Sequence, residues 1–160
     1  MTTSTPYTTL LFDILGTLLD EDAGMLDAAA TITGPGDDAL ALSRSWSDRF
    51  DRAVDDVRAG RRPYATPEKL HAESLDAALA DSTERPTEAV RSSAATFGHR
   101  LDPFAEVPEA LDRLAMTLRL VGLTNAGISQ AFEMSGHAGL RWTTLLSGER
   151  VAAFKPDPRV

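Results

Sequence analysis

A chain of 160 residues with 42% hydrophobic and 25% charged side chains can bury one sizeable core, so a single domain with at most a small insertion is expected. Its formal charge of -8, from 16 Lys+Arg against 24 Asp+Glu, argues against a sequence-independent grip on nucleic acid or an anionic membrane; an anionic small substrate needs locally concentrated positive charge. With no cysteine and only His71, His99 and His137, disulfides, thiol nucleophiles and Cys-ligated zinc are excluded and little remains for a His-based metal site.

No apolar run reaches the roughly 18 residues of a membrane span, and Met1 to Pro6 is polar without a signal-like stretch, so a cytoplasmic protein is expected. The first strong pattern is Tyr7 to Phe12, a β-branched and apolar run that ends at Asp13 and Gly16-Thr17 and predicts a buried strand delivering a carboxylate into a turn. Glu21 to Gly36 predicts a short helix and then a loop. From Asp37 to Ala59, Leu42, Trp46, Phe50, Ala53, Val54 and Val57 recur at steps of three and four before Gly60, which predicts an amphipathic helix. Thr66-Pro67 opens another helix to about Ala80, and Thr87 to Phe97 a third.

Beyond residue 100 the pattern changes. Pro108 to Thr117 reads as a helix, Leu118 to Leu123 as a strand ending at Thr124-Asn125, Ile128 to Ser135 as a helix stopped by Gly136, and Trp142 to Ser147 as a short strand. Strand, helical insertion, then alternating helix and strand predicts an α/β fold: a Rossmann-like open parallel sheet formed by residues 1–19 and 101–160, with residues 20–100 inserted as a helical subdomain.

Functional groups of such sheets gather at the carboxyl ends of the strands. Asp13, Thr124, Asn125 and Lys155 fall there, each after its own predicted strand. A carboxylate beside an ammonium group stays ionised and can act as a nucleophile, while the Thr124 hydroxyl and the N–H groups opening the helix at Ile128 suit an anionic substrate. This arrangement needs no metal. Taken singly, each residue also has an ordinary reading: Asp13 as an Asx-turn former, Thr124-Asn125 as a turn and cap, Lys155 as a solvated loop lysine. Their joint occurrence in this order favours chemistry. Trp46, Trp142 and His137 read as core or surface residues, and Asp55-Asp56 as a solvated helix face.

The residues also resemble a known family. Leu11-Phe-Asp13-Ile-Leu-Gly16-Thr17-Leu-Leu-Asp20, Val121-Gly122-Leu123-Thr124-Asn125 and Phe154-Lys155-Pro156-Asp157-Pro158 resemble the first three motifs of the haloacid dehalogenase superfamily, and Trp46 through Tyr64 resembles the cap of its type II 2-haloacid dehalogenases. The resemblance implies Asp13 as nucleophile, Lys155 as its partner, and Thr124 and Asn125 as binders of the substrate's anionic part, with no cofactor. The superfamily's phosphatases carry a general acid two residues after the nucleophile, where this chain has Leu15. A halide needs no protonation, so the implied reaction is in-line displacement of halide from a small anionic substrate such as a 2-haloalkanoic acid, giving an ester that water cleaves.

Two departures stand out. The dehalogenases place an Arg directly after the cap Trp to pair with the substrate carboxylate; here Ser47 stands there, with Arg44 about one helical turn away and Arg49 two residues further on, and Arg44 and Ser47 are the expected substrate-binding candidates. The family also continues past the third motif with a Tyr, a helix, a strand and an acidic fourth motif. The expectation is therefore a core incomplete at its C-terminus, with apolar surface and a sheet edge that invite association. A homodimer is common among similar proteins, though no residue here demands one. Alternative readings are a magnesium-dependent phosphatase-like member and a non-catalytic fragment that binds a small anion or a partner.

Overall fold

The computed structural model describes residues 7–160. Three parallel strands, β1 (Thr9–Phe12), β2 (Arg119–Thr124) and β3 (Thr144–Ser147), form one sheet in the order β1-β2-β3. The register pairs Leu10 with Leu120, Phe12 with Gly122, Gly122 with Leu145 and Thr124 with Ser147, so the carboxyl ends of all three strands lie at one edge. Period-two alternation turns Leu120, Gly122 and Thr124 of the central strand into the core, while Leu11 and Leu146 remain 60% and 39% exposed on the other face.

Among the described residues there are six α-helices, of which the last two pack on the sheet and the first four pack on one another. Helix α1 (Glu21–Thr33) is capped by Asp20, whose carboxylate accepts the Ala23 N–H at 2.9 Å. It runs for 13 residues where the sequence pattern predicts only a short helix and a loop. Its buried residues Met25, Ala28 and Ala29 are mostly small: alanine favours the helix intrinsically and lets neighbours approach, yet writes no conspicuous apolar stripe. Helix α2 (Asp37–Arg58) buries Leu42, Trp46 and Val54, and α3 (Pro67–Ala80) opens on the Thr66 cap with proline at its first turn. Helix α4 (Glu88–Ala95) stops short of Phe97, which begins a 3-10 turn at Phe97–His99.

Helix α5 (Val107–Ala115) precedes β2, and α6 (Ile128–His137) continues through Gly136, the predicted stop, to end near Gly139 at φ 69°. Gly136 has nothing within 4 Å of its would-be side chain and lies inside the helix, so glycine there is tolerated rather than a terminator. β3 begins at Thr144 and not at Trp142, whose indole N–H instead donates to the Ser135 hydroxyl at 3.0 Å. Among the described residues no helix is long and apolar enough to cross a membrane.

Two apolar clusters result. One gathers Ile14, Leu18, Leu19, Leu101, Val107, Leu111, Leu120 and Met134 under the sheet, and the other gathers residues of α1 to α4 around Trp46, with Phe97 touching both. A third, smaller cluster of Val54, Leu70 and Phe154 ties α2 and α3 to the loop before Lys155. Gly122 marks the tightest approach in the sheet: a Cβ there would lie 2.7 Å from Leu145 Cδ1 and 2.9 Å from Ile14 Cδ1. Gly122→Ala is expected to cost about 1–3 kcal/mol by overpacking, read as a lower urea midpoint with an unchanged slope.

Candidate active site

Asp13 emerges from the carboxyl end of β1 into a turn built by Gly16, which takes φ 70° and donates its N–H to the Leu19 carbonyl at 3.0 Å. The turn folds Thr17 back so that its hydroxyl donates to Asp13 Oδ2 at 3.0 Å, while the Ile14 N–H donates to Oδ1 at 2.9 Å and the Lys155 ammonium pairs with the same Oδ1. Burial pushes the Asp13 carboxyl up, but the Lys155 bond and charge, the Thr17 hydroxyl and the Ile14 N–H outweigh it and hold the group below its usual range. Asp13 is therefore an anion, and Oδ2, with a single hydrogen bond, is its freer oxygen.

Lys155 is held from several directions. Its Nζ also donates to the Leu123 carbonyl at 3.0 Å, its N–H donates to Asn125 Oδ1 at 2.8 Å, and its carbonyl accepts Arg58 Nε at 3.0 Å and Nη2 at 2.7 Å. It does not follow β3 directly: a 3-10 turn at Gly148–Val151 and a left-handed Ala152, φ 49°, intervene and bring the chain back over the edge of β2. Asn125 thus positions the lysine's backbone while lining the same cavity.

Thr124, expected at the substrate, is fully buried, and its oxygen accepts the Ala126 N–H at 3.1 Å, so it shapes the turn and does not line the cavity. Ser147 secures that turn from β3 by donating to the Ala126 carbonyl at 2.6 Å. The opening of α6, expected to receive an anionic substrate group, is already served by the protein: the Ile128 N–H donates to Glu149 at 2.6 Å and the Gly127 N–H to Gln130 at 3.3 Å. A carboxylate from the chain itself occupies the favourable end of the helix dipole.

The cavity beside Asp13 measures about 210 Å³. Leu15, Phe50, Val54 and Phe154 give it apolar walls, and Glu21, Asp51, Arg58, His71, Asn125 and Lys155 supply its polar groups. Arg44 and Ser47 do not reach it, and Arg49 is engaged with Asp81 at the end of α3. Position along the helix explains the difference: the cavity is lined by α2 from Phe50 to Arg58, whereas Ser47, at nearly the same helical phase as Arg58, lies 11 residues or about 16 Å nearer the start of the helix, and Arg44 further back still. Arg58, which the sequence reading does not single out, is the cap arginine on the cavity. Its spacing of four residues after Val54, itself four after Phe50, is the signal that points to it. Thr17 is a second site residue that sequence reasoning misses, since its role depends on the turn folding it back onto Asp13.

His71 stacks on Phe50 at 3.8 Å between ring centroids and is edge-on to Trp46 and Phe97. Burial pushes its pKa down to about 3, so the imidazole is neutral, and its Nδ1 is buried without a hydrogen-bond partner. Glu21 is the mostly buried carboxyl of the wall: burial first, then the charges of Asp22, Asp51 and Asp13, push it up to about 7. Among the described residues no group of three His, Asp or Glu side chains is placed to hold a metal ion.

No family model matches the chain, and no curated protein matches it by sequence. Solved structures do match. An L-2-haloacid dehalogenase superposes with TM-score 0.85 at 27% identity over 96% of this chain and 67% of its own, and a defluorinating L-2-haloacid dehalogenase with TM-score 0.84 at 27% identity over 96% and 65%. The L-2-haloacid dehalogenase of Xanthobacter autotrophicus with chloropropionic acid covalently bound shares the fold at TM-score 0.80 and 24% identity, over 96% of this chain and 61% of that one. The chain thus spans about two thirds of the length of the structures it matches. With its parallel sheet, helical insertion and Asp13–Lys155 pair, it has the fold of the haloacid dehalogenase superfamily. Within that superfamily it resembles the L-2-haloacid dehalogenases.

Proposed function

We propose that this chain is a 2-haloacid dehalogenase-type hydrolase whose nucleophile is Asp13. The observation that carries the reading is an ionised carboxylate, fixed by Lys155 and Thr17, opening onto a small cavity whose wall at Leu15 is apolar. Oδ2 of Asp13 attacks the halogen-bearing carbon from the side opposite the halide, the carbon–halogen bond breaks, and an ester links substrate to Asp13. Water then attacks the ester carbonyl, freeing a 2-hydroxy acid and restoring the carboxylate. No proton is needed for the departing halide, which is why Leu15 suffices where a phosphate ester's alkoxide would demand an acid. Lys155 holds Asp13 ionised and turned toward the cavity, and Arg58 contributes the positive potential that draws in a carboxylate. The covalently bound chloropropionic acid in a structure of the same fold supports this chemistry.

The test is halide release from 2-chloropropionate by the purified chain, with a single turnover run in heavy-oxygen water. The label is expected first in the Asp13 carboxylate and only later in the product. Magnesium-dependent phosphate release without halide would replace this reading with the phosphatase-like one. Arg58→Ala is expected to raise KM roughly tenfold, equivalent to about 1.4 kcal/mol of lost substrate attraction, with a smaller fall in kcat. Steady-state kinetics checks it. Arg58→Lys restores charge but not the forked contact to the Lys155 carbonyl, so it recovers only part.

A further inference from the structure

His71 stands on the cavity with neither ring nitrogen paired. It lies one turn beyond Pro67 on the side of α3 turned to the cavity, and it is only 3% exposed. Three aromatic rings fix its plane: Phe50 stacks on it at 2° between planes, while Trp46 and Phe97 meet it edge-on at 88° and 82°. The imidazole therefore has no freedom to turn and seek a partner. Its Nδ1 is sealed from solvent; Nε2 also makes no hydrogen bond to a described residue, yet it is not among the sealed atoms and so remains open to the cavity. Burial keeps the ring neutral, with one proton for two nitrogens. An N–H buried without a partner costs more than a bare lone pair, so the proton belongs on Nε2 and the lone pair on Nδ1.

We propose that His71 is a substrate-specificity residue, whose Nε2–H donates to the carboxylate of a small 2-halocarboxylate and orients it in the cavity. The proposal deepens the dehalogenase reading above and rests on it for the ligand's identity. The two cations of the cavity supply attraction more than direction: Lys155 Nζ is engaged by Asp13 and the Leu123 carbonyl, and Arg58 donates to the Lys155 carbonyl and to Asp55. Their charge draws a carboxylate inward, whereas a hydrogen bond from a clamped ring fixes which way it points. A carbon-bound halogen is a far weaker acceptor than a carboxylate oxygen, so the carboxylate is the group selected. Pairing with it returns to Nε2–H the hydrogen bond that the buried ring otherwise forgoes.

The ring's share in the fold and its share in binding come apart. The hydrogen bond that joins His71 to Trp46 uses the His71 backbone carbonyl, so no substitution of the side chain removes it. Phenylalanine keeps an aromatic ring in the stack and takes away both unpaired nitrogens, and replacing unsatisfied buried polar atoms by apolar ones of the same shape is neutral or stabilising. A histidine kept for packing alone would be improved by that change, with no consequence for the substrate. Glutamine gives up the stack but carries an amide N–H donor at about the place of Nε2.

The experiment joins steady-state turnover of 2-chloropropionate by the unsubstituted chain, His71→Phe and His71→Gln with nitrogen–proton correlation NMR of the His71 ring during titration with propionate, which has the carboxylate without the halogen. The ring is expected to carry its proton on Nε2, and that proton to move downfield as propionate binds. His71→Phe is expected to raise KM ~10-fold or more, with kcat changed by about twofold at most and Tm unchanged or higher, and His71→Gln to recover part of the KM. An Nε2–H unmoved at saturating propionate, a proton found on Nδ1, or an unchanged KM in folded His71→Phe overturns the role of His71 and leaves the Asp13 chemistry standing. A response to bromide and not to propionate gives the ring to the halide and overturns the carboxylate contact. A propionate response without halide release from the unsubstituted chain overturns the dehalogenase reading and keeps His71 as a carboxylate donor. Should His71→Phe fail to fold, the propionate titration of the unsubstituted chain decides alone.

Discussion

Asp13→Asn is expected to abolish halide release, by about 10⁴-fold or more, while leaving the fold intact. The amide keeps the shape of the carboxylate: its Oδ1 can still accept the Ile14 N–H, and its Nδ2, in the place of Oδ2, can donate to the Thr17 hydroxyl, preserving the two contacts made within the turn itself. What it loses is the charge and lone-pair reactivity that displacement at carbon requires. Lys155→Met separates a second contribution. Without the ammonium, burial of Asp13 meets less opposition, so its pKa rises, and the acid limb of kcat/KM should move to higher pH as the maximal rate falls. The pH–rate profile of the two variants checks both statements. A displaced acid limb in Lys155→Met with normal kcat would assign the lysine to ionisation alone.

The second large effect is on stability. Trp46→Ala should cost about 3–5 kcal/mol, measured as the shift in urea midpoint multiplied by the slope. Trp46 is fully buried among α1 to α4, stands edge-on to Phe97 at 5.3 Å and His71 at 5.8 Å, and donates its indole N–H to the His71 carbonyl at 3.0 Å. Truncation opens a cavity and strands that carbonyl. Trp46→Phe keeps most of the packing and removes the donor, so its cost should be about 1–3 kcal/mol. Because His71 stands against the indole, stacks on Phe50 and with it lines the cavity beside Asp13, Trp46→Ala should raise KM as well as lower stability.

Where a signal is local, the sequence carries it. Thr66-Pro67 opens α3 as expected because cap chemistry and proline act within one turn, and the apolar steps from Leu42 to Val57 locate α2 for the same local reason. α1 is longer than its pattern suggests because alanine packs without announcing itself, and the ends of α4 and β3 shift because Phe97 and Trp142 answer to tertiary neighbours. Asp55 and Asp56 form the solvated helix face expected of them, paired with Arg58 and Arg61.

The amino-acid order by itself determined the succession of elements, the carboxylate after the first strand and the lysine near the far end, because strand alternation, caps and turn residues are properties of neighbours along the chain. Only the tertiary structure decided which groups share the cavity. The packing of the second half of α2 over the strand ends put Arg58 on the cavity and left Arg44 and Ser47, nearer the start of that helix, outside it; Thr124 was absorbed into the turn it shapes, Glu149 took the start of α6, and Glu21 came to line the same cavity as Asp13. Burial and long-range charge, which convert an ordinary glutamate into one that titrates near neutrality, arise from residues far apart in sequence and so come into being only when the chain is folded.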